Sequence, residues 1–162
     1  MPEHPFTTFN FRIELAYGEK GQPICAAEFA ECDGLEMTLE PKTFREGGIN
    51  SRPLHFVGPV SYGQLTLKRG MTTDFGLWEW FEAVQKIDGH GIRASGTIAI
   101  QSTDAVLEKR TDRVRFALAG CLPVKLKAPG LNAKDGQIAV EEMQVAYESL
   151  TREAGGGGGA AP

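Results

Sequence analysis

Phe9, Phe11, Ile13, Leu15 and Tyr17 alternate with Asn10, Arg12, Glu14 and Ala16. That period of two predicts a strand with one buried face. Gly18-Glu19-Lys20-Gly21-Gln22-Pro23 carries the residues of a reversal, and Cys25 to Glu31 resumes an extended pattern, so a hairpin is expected. After Asp33-Gly34 the apolar Leu35, Met37 and Leu39 alternate with Glu36, Thr38 and Glu40 until Pro41, which has no N–H for a ladder. Leu65 and Leu67 mark another strand that ends at Arg69-Gly70. The turn Asp88-Gly89-His90-Gly91 leads into three more, over Ile92 to Ile100, around Val114, Phe116 and Leu118, and over Cys121 to Lys127. Ile138 and Val140 share one parity whereas Met143, Val145 and Tyr147 share the other, so a bulge near Glu141-Glu142 is expected to restore the buried face.

One segment has helical spacing. Over about residues 74 to 86, Leu77, Trp78, Trp80, Phe81 and Val84 fall on one side at 100° per residue, with Glu79, Glu82 and Lys86 opposite. Thr72, Thr73 or Asp74 is the expected cap, and the aromatic face is expected to cover a sheet or barrel end. Seven or eight short strands and one helix predict a mainly β fold: a small antiparallel barrel or sandwich with one flanking helix. Residues 41–62 break this rhythm. They hold Pro41, Pro53 and Pro59 with Gly47, Gly48 and Gly58 and show little periodicity, a connection far longer than usual and of the kind that carries function.

Composition narrows the picture. With 162 residues, 41% hydrophobic and 23% charged, the chain suits one ordinary core. The domain is expected over residues 1–151, with 152–162 a flexible tail because Gly155 to Gly159 and Ala160-Ala161-Pro162 have almost nothing to bury. The net charge of −4 disfavours tight nucleic-acid binding. No apolar run is long enough to span a bilayer, and Met1-Pro2-Glu3-His4-Pro5 lacks the features of a secretion signal, so cytoplasmic synthesis without membrane insertion is expected.

Candidate chemistry is sparse. Cys25, Cys32 and Cys121 read as small buried hydrophobes rather than disulfide or metal ligands. The histidines His4, His55 and His90 have no evident partners, and no phosphate loop, nucleophile elbow, dinucleotide fingerprint or zinc-protease pair occurs. Neither a catalytic residue nor a cofactor or metal is expected. Lys109, Arg110, Arg113 and Arg115 read as a solvated or subunit-facing surface.

The runs Phe29-Ala30-Glu31-Cys32-Asp33-Gly34-Leu35-Glu36, Phe44-Arg45-Glu46-Gly47-Gly48-Ile49-Asn50 and Leu65-Thr66-Leu67-Lys68-Arg69-Gly70-Met71 precede Leu77-Trp78-Glu79-Trp80. With Pro123-Val124-Lys125, Pro129-Gly130-Leu131-Asn132-Ala133 and Val140-Glu141-Glu142, they resemble the inner tube proteins of contractile phage tails and related injection systems. The resemblance covers about residues 7 to 151. It implies a non-enzymatic structural subunit of hexameric rings that stack into a tube inside a sheath, with sheath and baseplate proteins as partners and cargo in the lumen. An adaptor ring between tube and baseplate is the alternative within the family. A monomeric ligand-binding barrel is the alternative outside it.

By the resemblance, the loop over about Pro41 to Pro59 reaches an adjacent ring or subunit, which makes Phe44, Arg45, Glu46, Gly47, Gly48, Ile49 and Asn50 candidate assembly residues. Gly47 and Gly48 are expected to permit a close approach or a positive φ. Lys68 and Arg69, at a strand end, are candidates for salt bridges between subunits.

Overall fold

In a computed structural model the chain is described over residues 10–17, 21–27, 29–45, 47–48, 52–86, 92–104, 109–134 and 136–154. Strands β1 (Phe11–Tyr17), β2 (Gln22–Ala27), β3 (Glu31–Asp33), β4 (Met37–Leu39), β5 (Lys42–Phe44), β6 (Leu54–Phe56), β7 (Val60–Tyr62) and β8 (Gln64–Gly70) come first. Helix α1 (Gly76–Gln85) follows, then β9 (Ala94–Asp104), β10 (Lys109–Lys127), β11 (Val140–Ala146) and β12 (Ser149–Ala154).

Eight of these strands make one antiparallel sheet in the order β2-β1-β9-β10-β11-β8-β3, with β12 also on β10. The 19-residue β10 organises it. Its first half pairs with β9 and β12, and from Leu122 onward it pairs with β11, so one strand serves two sheet halves that close over a shared core. Register shifts between Leu118 and Cys121 and between Pro123 and Lys125, with Gly120 at φ +64°, bend it between the halves.

Alternation builds the core as expected. Ile13 and Leu15 of β1, Leu65 and Leu67 of β8, Ile98 of β9, Leu118 and Cys121 of β10, and Met143 and Val145 of β11 are buried together. Leu77 and Trp80 bring α1 onto this core, where it packs against β2 and β10. Trp78 stays half-buried. Each fully buried aliphatic side chain contributes about 1.5–3 kcal/mol by leaving water.

Several expectations are corrected. The extended segment expected over Cys25 to Glu31 begins at Gln22 and is split into β2 and β3. The two strands expected before and after Gly120 are one, because a bulge turns the chain without ending its ladder. No bulge occurs at Glu141-Glu142: the register runs unbroken from Val140 opposite Gly70 to Ala146 opposite Gln64. The buried parity there is filled by Glu141 itself, 2% exposed and paired, while Ile138 and Val140 face outward. The helix starts at Gly76, with Phe75 as N-cap and no side-chain cap; Asp74 Oδ1 accepts from the Gly76 N–H at 3.1 Å instead. Finally, β12 runs to Ala154, past the boundary expected at 151, because residues 149–154 ladder onto β10. Residues 155–162 of the expected tail lie outside the described residues.

Candidate functional site

The strand expected at Met37 and Leu39 and the unpatterned segment 41–62 together make a β arm. β4 pairs with β7 and β5 with β6, each antiparallel, and the Glu40 N–H to Pro59 carbonyl bond of 3.2 Å links the two ladders. The arm therefore runs out through residues 37–44 and back through 54–62. Its four strands are almost wholly solvent-facing: Met37 and Leu39 alternate with polar neighbours in β4 yet neither is buried, and residues 41–62 show little periodicity. Large apolar side chains nonetheless cover it: Met37 is 61% exposed and Val57 81%, and Leu39, Phe44, Phe56 and Val60 are also exposed. Toward the tip the rings of Phe44 and Phe56 meet edge to face, 6.3 Å apart. Scattered single hydrophobes on a surface mean little, but six along one thin hairpin make it a candidate binding surface.

Where the arm leaves the body, one side chain meets both legs. Tyr147, just beyond β11 and 6% exposed, accepts from the Glu36 N–H at 3.1 Å and donates to the Gly34 carbonyl at 2.7 Å. Its ring lies 5.6 Å from that of Tyr62 on the returning leg. The Gly63 N–H closes the base on the Glu36 carbonyl at 3.3 Å. Gly34 sits at φ +99°, and a Cβ there would stand 1.9 Å from the Gln64 carbonyl oxygen, so only glycine fits where the legs cross.

The expected assembly residues are thus distributed unevenly. Phe44 lies in β5 against Phe56, and Arg45 follows it, exposed. Gly47 and Gly48 form an exposed turn, whereas Glu46, Ile49 and Asn50 lie outside the described residues. Neither glycine meets the reasons given for it within the subunit: φ is not positive at either, and a Cβ at either would touch nothing within 4 Å. Phe56, Val57, Val60, Tyr62 and Tyr147 were missed. The signal for the first three is a set of apolar side chains inside a segment without alternation; Tyr147 acts across 111 residues of sequence and leaves no local mark.

Lys68 and Arg69 belong to the body. Lys68 bonds Glu31 across β8 and β3 at 3.0 Å, and that hydrogen bond and charge raise its pKa. Arg69 is corrected more sharply, being 2% exposed and paired inside its own subunit. Its Nε donates to Glu141 Oε1, Nη1 reaches Asp74 Oδ2 at 3.2 Å, and Nη2 donates to the Asp74 carbonyl at 2.7 Å. Trp78 Nε1 donates to the second Glu141 oxygen at 2.9 Å, and the Phe29 ring lies beneath the guanidinium. Burial opposes the Arg69 charge, but the bonds and charges of Glu141 and Asp74 more than offset it, raising its pKa. The network ties β8 and β11 to the start of α1; it is a structural joint.

Other chemistry is muted. Burial pushes the thiols of Cys25 and Cys121 up to about 11 and that of half-buried Cys32 up to about 12. A thiol so held is a poor nucleophile near neutrality. Asp112 accepts from Gln101 at 2.8 Å and from Arg115 at 2.7 Å, which together hold its carboxyl below the usual range. Among the described residues no three His, Cys, Asp or Glu side chains gather as a metal site.

The family described as T4-like virus tail tube protein gp19 matches residues 7–151. The chain belongs to this family. It is a structural subunit of the inner tube of a contractile tail or injection system. No curated protein matches it significantly. Among solved structures, this tail tube protein resembles a chain of the anti-feeding prophage baseplate, at 24% identity and a TM-score of 0.78 over 94% of this chain and 97% of that one. It also resembles a chain of the extended sheath-tube complex of an extracellular contractile injection system, at 19% identity and 0.72 over 94% of each. An Hcp protein aligns at 10% identity and 0.55 over 89% of this chain and 98% of that one. These likenesses establish the tail tube fold over most of this chain.

Proposed function

We propose that this tail tube protein closes into six-membered rings that stack head to tail, the arm of each copy docking on a neighbour, to make a conduit for cargo inside sheath and baseplate. The carrying observation is the arm, whose large apolar side chains stay largely exposed in the subunit. Within the body, Met71, Phe75, Ile138 and Val140 form a second exposed apolar group. It lies beyond the far end of β8, where the Met71 N–H bonds the Ala139 carbonyl, whereas the arm joins the near end at Gly63. A seven-residue strand separates the two by about 20 Å. Two different sticky ends on one body are what a repeating heterologous contact needs.

Free edges support ring closure. β2 pairs only with β1 and β3 only with β8 among the described strands, so each offers backbone groups to another chain. The six-fold count is supported by the relative drawn from a six-fold symmetrised baseplate. Such obligate contacts bury on the order of 2,000 Å² or more. The role calls for no catalytic step: the rings hold shape while other proteins supply force.

Native mass measurement of the purified full chain tests this. Six-subunit species and multiples of them are expected; a monomer at every concentration, above all one that binds a small molecule, overturns it.

A further inference from the structure

We propose that the Tyr147 hydroxyl is a latch that sets the direction of the arm for assembly. This rests on the reading of the arm as the docking element. Tyr147 is the residue after β11, which is laddered between β8 and β10, and its ring belongs to the buried core of the body. From there the hydroxyl is satisfied in both senses, accepting from the Glu36 N–H and donating to the Gly34 carbonyl, while the ring lies against Tyr62. A single side chain thus reads the position of both legs, and the short ladder of β4 and β7 continues directly outward from it.

Without a latch, two three-residue strands would swing about Gly34 and Gly63, because a lone exposed hairpin is marginal in water. With it, the arm is ordered when the body folds and no longer has to be ordered at docking. Removing the hydroxyl alone keeps the ring in the core but leaves the Glu36 N–H and the Gly34 carbonyl without this partner. The hydroxyl is therefore a positioning group: it stabilises the body little and acts on assembly through the arm.

The test compares the full chain with Tyr147→Phe, and with Ile98→Val as a body variant of similar cost. Hydrogen exchange is read first on dilute, unassembled protein. Tyr147→Phe is expected to speed exchange of amides in residues 36–44 and 54–63 on the order of tenfold, with β9 and β10 unchanged; Ile98→Val is expected to leave the arm alone. Assembly is then read by light scattering, where Tyr147→Phe is expected to raise the concentration needed for growth several-fold and Ile98→Val to leave it unchanged. Arm exchange equal to wild type overturns the latch whatever assembly does. Fast arm exchange with unaltered growth leaves the latch standing and overturns the docking role of the arm.

Discussion

Body and arm are built from the same antiparallel ladder, yet they depend on different things. In the body, β8 and β11 bury every second residue, and each buried face meets another layer. In the arm, β4 and β5 bury nothing, and β6 and β7 little more. Apolar residues are present in both; in the body the chain itself covers most of them, whereas in the arm the large ones stay exposed. The contrast teaches that the body is specified by its own packing, whereas the arm is specified by its root and, on the proposed reading, completed by another chain.

Substitutions break this comparison in graded steps. The largest expected effect lies in the body: Arg69→Met strands the buried Glu141 charge and costs about 3–5 kcal/mol in urea unfolding, whereas a loss under 1 kcal/mol would show the joint to be dispensable. Alkaline pH comes next and acts on the body alone. An unfolded thiol ionises near 9.0, but Cys25 and Cys121 hold their protons to about 11 when folded. The folded state then binds more protons, so this contribution is complete below pH 9 and is lost as pH rises to about 11, roughly a few kcal/mol across the window. Stability that stays flat from pH 9 to 11, measured with Tyr and Lys titration matched in a Cys25→Ala, Cys121→Ala chain, would contradict the burial.

At the root, Gly34→Ala meets the Gln64 carbonyl at a positive φ and is expected to cost about 1–3 kcal/mol while displacing the arm. A crystal structure or exchange map with the legs unmoved would count against the tight crossing. The smallest expected change in subunit stability is on the arm. Gly47→Val has open space around it and is expected to stay within about 0.5 kcal/mol by thermal melting, yet to block tube growth if a neighbour packs there. Normal tubes from that variant would remove this turn from the interface.

Much of the body was legible because burial on one face writes a period of two: β1, β8 and the aromatic stripe of α1 stand where Ile13 and Leu15, Leu65 and Leu67, and Leu77 and Trp80 put them. Three physical situations hid the rest. Gly120 and Pro123 look like strand breaks, but a bulge absorbs them inside β10. Glu141 looks like a solvent position, but a charge neutralised by Arg69 can occupy the core parity. Of the arm, the alternation of Met37 and Leu39 was legible but suggested a buried face that the subunit does not supply, and over residues 41–62 both faces are wet, so the pairing left little pattern. Of the candidate assembly residues, Phe44 and the glycine turn were named through family likeness and stand on the arm, whereas Arg69 was misread because its charge was taken as a solvent position although it shares the parity of buried Leu65 and Leu67.

Negative-stain electron microscopy of the full chain beside a Phe44→Asp, Phe56→Asp variant tests the central claim most directly, since both side chains are more than half exposed and the subunit does not need them to fold. The account predicts annuli and stacked tubes from the natural chain and dispersed, folded particles from the variant. Indistinguishable tubes from both, or single particles from both, would contradict it.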